Sequence, residues 1–227
     1  MIARRALVAG LAFVALAAPA QSATDWVNTV AATPEGGILI GNPVAKVRVI
    51  EFGSYTCSHC ATFDAVGLPA LKAKYIASGK VAFEQRSFIR NGPDLSASLL
   101  VQCLPPRAAL GLAGKLFAEQ PQWTAPFVAM TPADSATVGA LPTDKQPGRL
   151  AELAGLDRWA AARGVPIAKG KACLADKAAQ DRIVATRSNA LTRYKLEATP
   201  TFVINGATVT DAYDWAALEP KVVAALK

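Results

Sequence analysis

The chain has 227 residues and a formal net charge of +7 at pH 7, from 24 basic and 17 acidic side chains. Because the basic side chains are scattered and not interleaved with aromatic residues, the charge argues against a nucleic-acid-binding surface. Hydrophobic residues make up 52% of the chain, so a sizeable core can form without a structural metal.

Residues 1–23 have the pattern of a secretory signal peptide. Two arginines precede an apolar stretch at residues 6–18, and small residues follow it. The stretch is shorter than the roughly 20 residues that a membrane-spanning helix needs. We therefore predict export to a bacterial-type periplasm, with cleavage after Ala20 or Ala23.

Residues 24–90 are predicted to form a βαβ unit. Residues 47–52 are β-branched and nearly all apolar, which is typical of a strand buried on both faces. Apolar residues then recur at helical spacing from Phe63 to Tyr75, and residues 81–88 have the pattern of a second strand. A strand, a helix and a strand in this order predict a right-handed crossover between parallel strands.

The rest of the chain divides into a helical insertion and a C-terminal ββα unit. Residues 91–196 are rich in Ala, Leu and Lys with few β-branched runs, which favours helices. In residues 197–227, Asn205-Gly206 lies between two β-prone runs and predicts a tight hairpin, and Asp214 can cap a final helix. The sequence thus predicts an α/β fold of a βαβ and a ββα unit with a large all-helical insertion.

Cys57 and Cys60 form a Cys-x-x-Cys motif directly after the first predicted strand. A disulfide that opens and closes repeatedly needs one thiolate that attacks at neutral pH and a second thiol that resolves the mixed disulfide. At a helix N-terminus, unpaired N–H groups and the helix dipole favour the thiolate of the first cysteine. We therefore predict that Cys57 attacks, that Cys60 resolves, and that His59 between them stabilises the Cys57 thiolate.

An inert disulfide or half of a zinc site would give the same motif. A four-cysteine zinc site would need Cys103 and Cys173, but neither belongs to a second Cys-x-x-Cys motif or lies near a His. Because an oxidising compartment favours pairs, these two cysteines are predicted to form a structural disulfide, with two buried free thiols as the alternative. The sequence predicts no metal, and no cofactor beyond the redox-active disulfide Cys57–Cys60.

Pro200 has two interpretations. A proline at the first position of a strand commonly marks only the strand start, because it has no N–H to donate. The functional interpretation is a cis Thr199-Pro200 bond packed against the Cys57 sulfur, with nearby backbone groups free to pair with an extended substrate.

Glu51 also has two interpretations, because an unpaired carboxylate in an otherwise apolar strand is costly. A raised pKa would let Glu51 shuttle protons to the deeper Cys60. Alternatively, the carboxylate lies in water at the strand edge or pairs with Arg48 or Arg86.

Three segments of the sequence resemble the DsbA family of periplasmic disulfide oxidoreductases. They are Glu-Phe-Gly-Ser-Tyr-Thr-Cys-Ser-His-Cys at residues 51–60, the helical insertion, and Thr-Pro-Thr-Phe at residues 199–202. The resemblance extends from about Gly41 onward and is strongest to the α-proteobacterial DsbA-like branch, in which a second cysteine pair in the helical domain is familiar. It implies a thioredoxin-like fold split by a helical insertion. By motif position, it also implies a nucleophilic Cys57, a resolving Cys60, a cis-proline loop at Thr199-Pro200 and a buried acid at Glu51.

The resulting hypothesis is a periplasmic thiol:disulfide oxidoreductase that donates the Cys57–Cys60 disulfide to unfolded secreted proteins and acts as a monomer. The resemblance implies reoxidation by a membrane oxidase of the quinone-linked DsbB type. Ser58 stands where the best-known members have Pro, and Thr199 where they have Val, which leaves the redox potential open. The alternatives are a disulfide isomerase or reductase, and a thioredoxin-fold peptide-binding chaperone with an inert disulfide.

Overall fold

A computed structural model describes residues 24–227 of the protein. The predicted signal peptide, residues 1–23, lies outside the described residues. Within residues 24–227, no helix combines the length and the apolar character needed to cross a bilayer.

A six-stranded mixed sheet forms the centre of the molecule. Its strands are β1 (Val30–Ala32), β2 (Ile38–Gly41), β3 (Val47–Gly53), β4 (Val81–Ser87), β5 (Thr201–Ile204) and β6 (Ala207–Thr208). They lie in the order β1-β2-β4-β3-β5-β6. The central pair, β3 and β4, is parallel, and the other four pairs are antiparallel. This topology confirms the predicted βαβ and ββα units.

Eleven α-helical segments surround the sheet in the described part of the chain. They are α1 (Ser58–Thr62), α2 (Leu68–Leu71), α3 (Gly92–Gln102), α4 (Pro106–Ala118), α5 (Gln120–Val128), α6 (Pro132–Gly139), α7 (Gln146–Ala154), α8 (Leu156–Ala161), α9 (Ile167–Leu174), α10 (Lys177–Arg193) and α11 (Trp215–Leu226). Turns of π-helix at Phe63–Gly67 and Lys72–Ile76 make α1 and α2 parts of one helical run. Helices α3 to α10 form the insertion between β4 and β5.

The C-terminal unit follows the sequence signals closely. Asn205 and Gly206 both have positive φ angles, 49° and 86°, as a two-residue hairpin between β5 and β6 requires. Asp214 caps α11 by accepting a hydrogen bond from the backbone N–H of Ala217 at 2.9 Å.

The hairpin of β1 and β2 was not predicted from the sequence, and a buried ion cluster holds it. Glu84 on β4 is fully buried and accepts hydrogen bonds from Arg48 and Arg86. Thr33, in the turn of the hairpin, donates to the same carboxylate at 2.7 Å. A Cβ atom on Gly37 would lie only 2.4 Å from Glu84 Oε1, so a larger residue there would displace the cluster.

The two faces of β3 pack against different helices because side chains alternate along a strand. Val47 and Val49 belong to a core shared with α11 and the helical run after β3. Ile50 and Phe52 belong to a second core, where the Phe52 ring lies 5.3 Å from that of Tyr194, directly after α10. A third core fills the insertion and includes Cys57, so this residue lies where sheet and insertion meet.

Cys103 and Cys173 form a disulfide inside the insertion. Their Cα atoms are 5.7 Å apart, and 70 residues separate them along the chain. The bond joins the C-terminal end of α3 to α9.

Candidate active site

Cys57 lies at the junction between β3 and α1. The strand ends at Gly53, and Cys57 is the N-cap residue of α1, with an extended backbone and its carbonyl accepting from the N–H of Ala61 at 3.1 Å. Its side chain borders a groove of about 400 Å³. The other residues that line the groove are Ser58, His59, Phe88, Arg90, Glu197, Ala198 and Thr199. An extended peptide can therefore approach the sulfur of Cys57 from this groove.

The surroundings of Cys57 favour the thiolate. Hydrogen bonds from the Cys60 thiol, from the Thr199 side chain and from the backbone N–H groups of Cys60 and His59 lower the pKa of Cys57 to about 4, against the opposing effect of burial. In the protonated form, the Cys57 thiol donates to the Thr199 carbonyl at 3.2 Å. The Thr199-Pro200 peptide bond is cis. The structure thus brings Thr199, the residue before the cis-proline, to the Cys57 sulfur.

Cys60 has the opposite environment. It is fully buried, and burial, the hydrogen bond to Cys57 and the charge of Glu51 all raise its pKa above 9.0. The Ser54 N–H, which donates to its sulfur at 3.5 Å, lowers the pKa of Cys60 against these effects. Cys60 is therefore a neutral thiol at physiological pH, beside a Cys57 that is ionised.

The His59 side chain is exposed on the rim of the groove. Among the described residues, the groups that lower the pKa of Cys57 include the backbone N–H of His59 but not its imidazole ring. The proposed effect of the ring on the thiolate therefore stays a prediction.

Glu51 is buried, with only 2% of its surface exposed. Burial excludes a carboxylate that lies in water at the strand edge. Glu51 also does not pair with Arg48 or Arg86, because both bind Glu84 on the other face of the sheet. Within residues 24–227, Glu51 Oε1 has no hydrogen-bond partner. Burial, followed by the charges of Asp64 and Cys57, raises the pKa of Glu51 well above 4.5.

Three polar residues near the cysteines were not singled out from the sequence. Asp64 lies four residues after Cys60 in the same helical run, and burial raises its pKa. Asp94 on α3 and Gln120 on α5 hydrogen-bond the backbone of the loop before Cys57. Burial raises the pKa of Asp94 to about 6. Of these three residues, only Asp64 could have been singled out from the sequence, because it lies one helical turn after Cys60.

The described part of the chain contains no cluster of three His, Cys, Asp or Glu side chains arranged to hold a metal. Cys103 and Cys173 are bonded to each other, so they do not join Cys57 and Cys60 in a four-cysteine site. What the site presents is a pair of thiols of unequal acidity next to a groove, an arrangement suited to thiol–disulfide exchange.

Comparison with known proteins identifies the same fold. A family model described as thioredoxin matches residues 33–222. A crystal structure of a protein-disulfide isomerase from Novosphingobium aromaticivorans superposes with a TM-score of 0.80 and 32% identity, covering 85% of this chain and 98% of that one. The crystal structure of Wolbachia pipientis alpha-DsbA1 gives a TM-score of 0.65 and 24% identity, over 83% and 89% of the two chains.

Curated relatives match over a shorter segment. A putative protein-disulfide oxidoreductase of Rickettsia bellii is 42% identical over 69 residues, which are 30% of this chain and 27% of that protein. The match therefore spans about a quarter of the relative's length.

Proposed function

The chain belongs to the thioredoxin family, whose model matches residues 33–222, and we propose that it is a thiol:disulfide oxidoreductase of the DsbA-like type. In its oxidised form it donates the Cys57–Cys60 disulfide to cysteine-containing proteins as they fold in the periplasm. The observation that carries the proposal is the opposite acidity of the two thiols, with the pKa of Cys57 lowered and that of Cys60 raised.

The exchange has two steps. A substrate thiolate attacks the Cys57 sulfur, a substrate–Cys57 disulfide forms, and the Cys57–Cys60 bond breaks as Cys60 leaves and takes up a proton. A second substrate thiolate then attacks the substrate sulfur, so that the substrate disulfide forms and Cys57 leaves as a thiolate. Two electrons pass from the substrate to the enzyme. One proton ends on Cys60 and the other in solvent.

The low pKa of Cys57 favours transfer of the disulfide from the enzyme to the substrate. A thiol of low pKa is a good leaving group, which favours release of the substrate disulfide in the second step. A stable thiolate also stabilises the reduced enzyme, which makes its disulfide more oxidising. Both effects favour donation of the disulfide over its retention.

Reoxidation of the dithiol needs an acceptor for two electrons, which we propose is a quinone-linked membrane oxidase of the DsbB type. The substrates are unfolded secreted or periplasmic proteins, because the groove beside Cys57 suits an extended chain. We further propose that the enzyme acts as a monomer.

Isomerase activity is a second candidate function. It is favoured by Thr199 before the cis-proline, because the family resemblance implies that Thr at this position also occurs in disulfide isomerases. The Novosphingobium structure, which shares 32% of its residues with this chain, is also described as a protein-disulfide isomerase. An isomerase must be kept reduced, so its disulfide should be less oxidising than that of a dithiol oxidase.

The redox equilibrium with glutathione separates these functions. The purified protein without residues 1–23 would be equilibrated in a glutathione series, and Cys57 modification would be read by mass. A Cys103→Ser/Cys173→Ser variant run in parallel isolates the active-site pair. A potential well above the thioredoxin value of about −270 mV supports the oxidase, and a value near or below it contradicts the oxidase and favours a reductase or isomerase.

A Cys57→Ser variant tests the third alternative, a chaperone with an inert disulfide. An oxidoreductase loses exchange with a reduced model protein and can keep its affinity for an unfolded chain. A chaperone keeps all of its activity without Cys57.

A further inference from the structure

The loop at residues 54–57 carries Cys57 and lies buried between the sheet and the insertion. Ser54, Tyr55 and Cys57 are each less than 5% exposed. Because β3 has already ended at Gly53 and α1 begins only at Ser58, the sheet ladder and the helix leave much of the loop backbone without a partner. Buried backbone N–H and C=O groups are costly unless other groups bind them.

Ser54 binds the N–H groups of Thr56 and Cys57 within the loop, and two side chains of the insertion supply the partners of the Tyr55 backbone. Asp94 Oδ1 accepts the backbone N–H of Tyr55 at 2.8 Å. Gln120 Nε2 donates to the carbonyl oxygen of Tyr55 at 2.7 Å and to that of Cys57 at 3.0 Å. The insertion therefore holds both sides of the Tyr55 backbone and the carbonyl of the reactive cysteine.

The role of Asp94 is unusual for its position in a helix. Aspartate at the third position of a helix commonly accepts the backbone N–H of the N-cap residue, as Asp134 of α6 does for Thr131 at 3.0 Å. Asp94 occupies the third position of α3, but its oxygens accept the N–H of Tyr55 and, at 3.0 Å, that of Arg90. One carboxylate thus joins the start of α3 to the cysteine loop.

We propose that Asp94 and Gln120 are positioning residues that hold the loop so that the Cys57 sulfur stays next to Thr199 and the N–H groups at the start of α1. This proposal rests on the proposed oxidoreductase function, because it concerns the reactivity of the same sulfur. The Tyr55 ring adds a third contact with the insertion, 5.1 Å from the ring of Phe117 on α4. The stability of the Cys57 thiolate then depends on the helical insertion as well as on the Cys-x-x-Cys helix.

The test uses substitutions that preserve side-chain size. Gln120→Met removes both donors, and Asp94→Asn places an amide N–H group against one of the two backbone N–H groups. Gln122→Met, on the exposed side of α5, and Asp134→Asn, at the equivalent position of α6, are the matched controls. The readouts are the thiolate absorbance of Cys57 at different pH values and the glutathione equilibrium, neither of which a purely structural role would move.

We expect both loop variants to show a higher Cys57 pKa than the wild type and a glutathione equilibrium shifted by roughly threefold or more toward the oxidised enzyme, with both controls unchanged. Folded variants with an unchanged Cys57 titration would overturn the proposal even if the protein is an oxidoreductase. If the wild type does not exchange with glutathione, the proposed function fails, and the Cys57 titration still decides the role of the two side chains.

Hydrogen exchange provides a test on the wild-type protein alone, so it does not require any variant to fold. The Tyr55 amide should exchange slowly, because it is buried and bound by Asp94. Rapid exchange of this amide in the native protein would overturn the proposal.

Discussion

Glu51 lies close enough to Cys60 for its negative charge to raise the pKa of the thiol, and both side chains are buried. The carboxyl group has a raised pKa itself and an oxygen without a hydrogen-bond partner among the described residues. A buried acid with a raised pKa can exchange protons with a neighbouring thiol near neutral pH. We therefore propose that Glu51 takes the proton that Cys60 loses, and returns it.

Replacing Glu51 with Gln should slow the steps in which Cys60 gains or loses a proton. We expect resolution of a Cys57 mixed disulfide by Cys60 to slow by about tenfold to a hundredfold at pH 7, because proton transfer to a positioned side chain is lost. Stopped-flow mixing of a disulfide-containing model peptide with the reduced enzyme measures the rate, because Cys57 then forms the mixed disulfide and Cys60 resolves it. Glu152→Gln, at an exposed ion pair of α7, is the control, and equal rates in both variants would contradict the role of Glu51.

The same substitution should stabilise the protein at alkaline pH. Because the pKa of Glu51 is raised on folding, the folded state binds more protons, and its stability falls as the pH rises from about 4.5 through the folded pKa. Gln carries no charge, so the stability of Glu51→Gln relative to the wild type should increase from pH 4 to pH 8. Urea denaturation at several pH values measures the difference, and a pH-independent difference would contradict a buried, ionising Glu51.

Glu84→Gln should behave in the opposite way. Burial raises the pKa of Glu84, but hydrogen bonds from Arg86, Thr33 and Arg48 and the charge of Arg86 outweigh it and lower the pKa. Its stabilising contribution is therefore complete above about pH 4.5 and is lost as the pH falls through the folded pKa. At pH 7 we expect a loss of about 3–5 kcal/mol in the free energy of unfolding, because the buried Arg86 loses its buried partner and keeps only Glu35 at 3.6 Å. The loss should shrink toward pH 3, and Glu152→Gln should show neither effect.

Glu51 and Glu84 show which features of the fold can be predicted from the sequence alone. The short apolar strand at residues 47–52 predicted both β3 and the unusual position of Glu51, since the pattern of a buried strand is local. Alternation along β3 places Arg48 and Glu51 on opposite faces. Which carboxylate Arg86 binds depends on the register of β4 against β3, which the local pattern leaves open. The β1–β2 hairpin escaped prediction because β1 is a three-residue strand at a partly exposed edge, fixed by the distant Glu84.

The candidate site, too, can be predicted from the sequence only in part. Cys57 and Cys60 are evident from their spacing, because one helical segment positions both thiols. Asp94 and Gln120 lie 39 and 65 residues beyond Tyr55, and their contacts are to backbone atoms, which no residue pattern in the loop reveals. Residues that touch a site only through its backbone require the tertiary structure.

Removing the second disulfide should cost stability without altering the chemistry of Cys57. The Cys103–Cys173 bond closes a loop of 70 residues, and loop-closure entropy predicts a stabilisation of about 4 kcal/mol. We expect Cys103→Ser/Cys173→Ser to lose this amount in urea denaturation, while its Cys57 titration matches that of the wild type. A changed Cys57 titration would mean that the disulfide influences the active site through α3.

The reduced enzyme should gain stability over the oxidised enzyme as the pH rises from 4 to 8. Folding lowers the pKa of Cys57 from 9.0 to about 4, so its stabilising contribution is complete above pH 9 and is lost as the pH falls to 4. Cys60 has a raised pKa and opposes this trend only at pH values near 9 and above, and the oxidised form has neither titrating thiol. Urea denaturation of the reduced and oxidised forms at each pH measures the difference in stability. Cys57→Ser lacks this thiolate, so its stability should follow the pH dependence of the oxidised wild type over this range. A constant difference between the reduced and oxidised wild type would contradict a Cys57 thiolate stabilised by the fold.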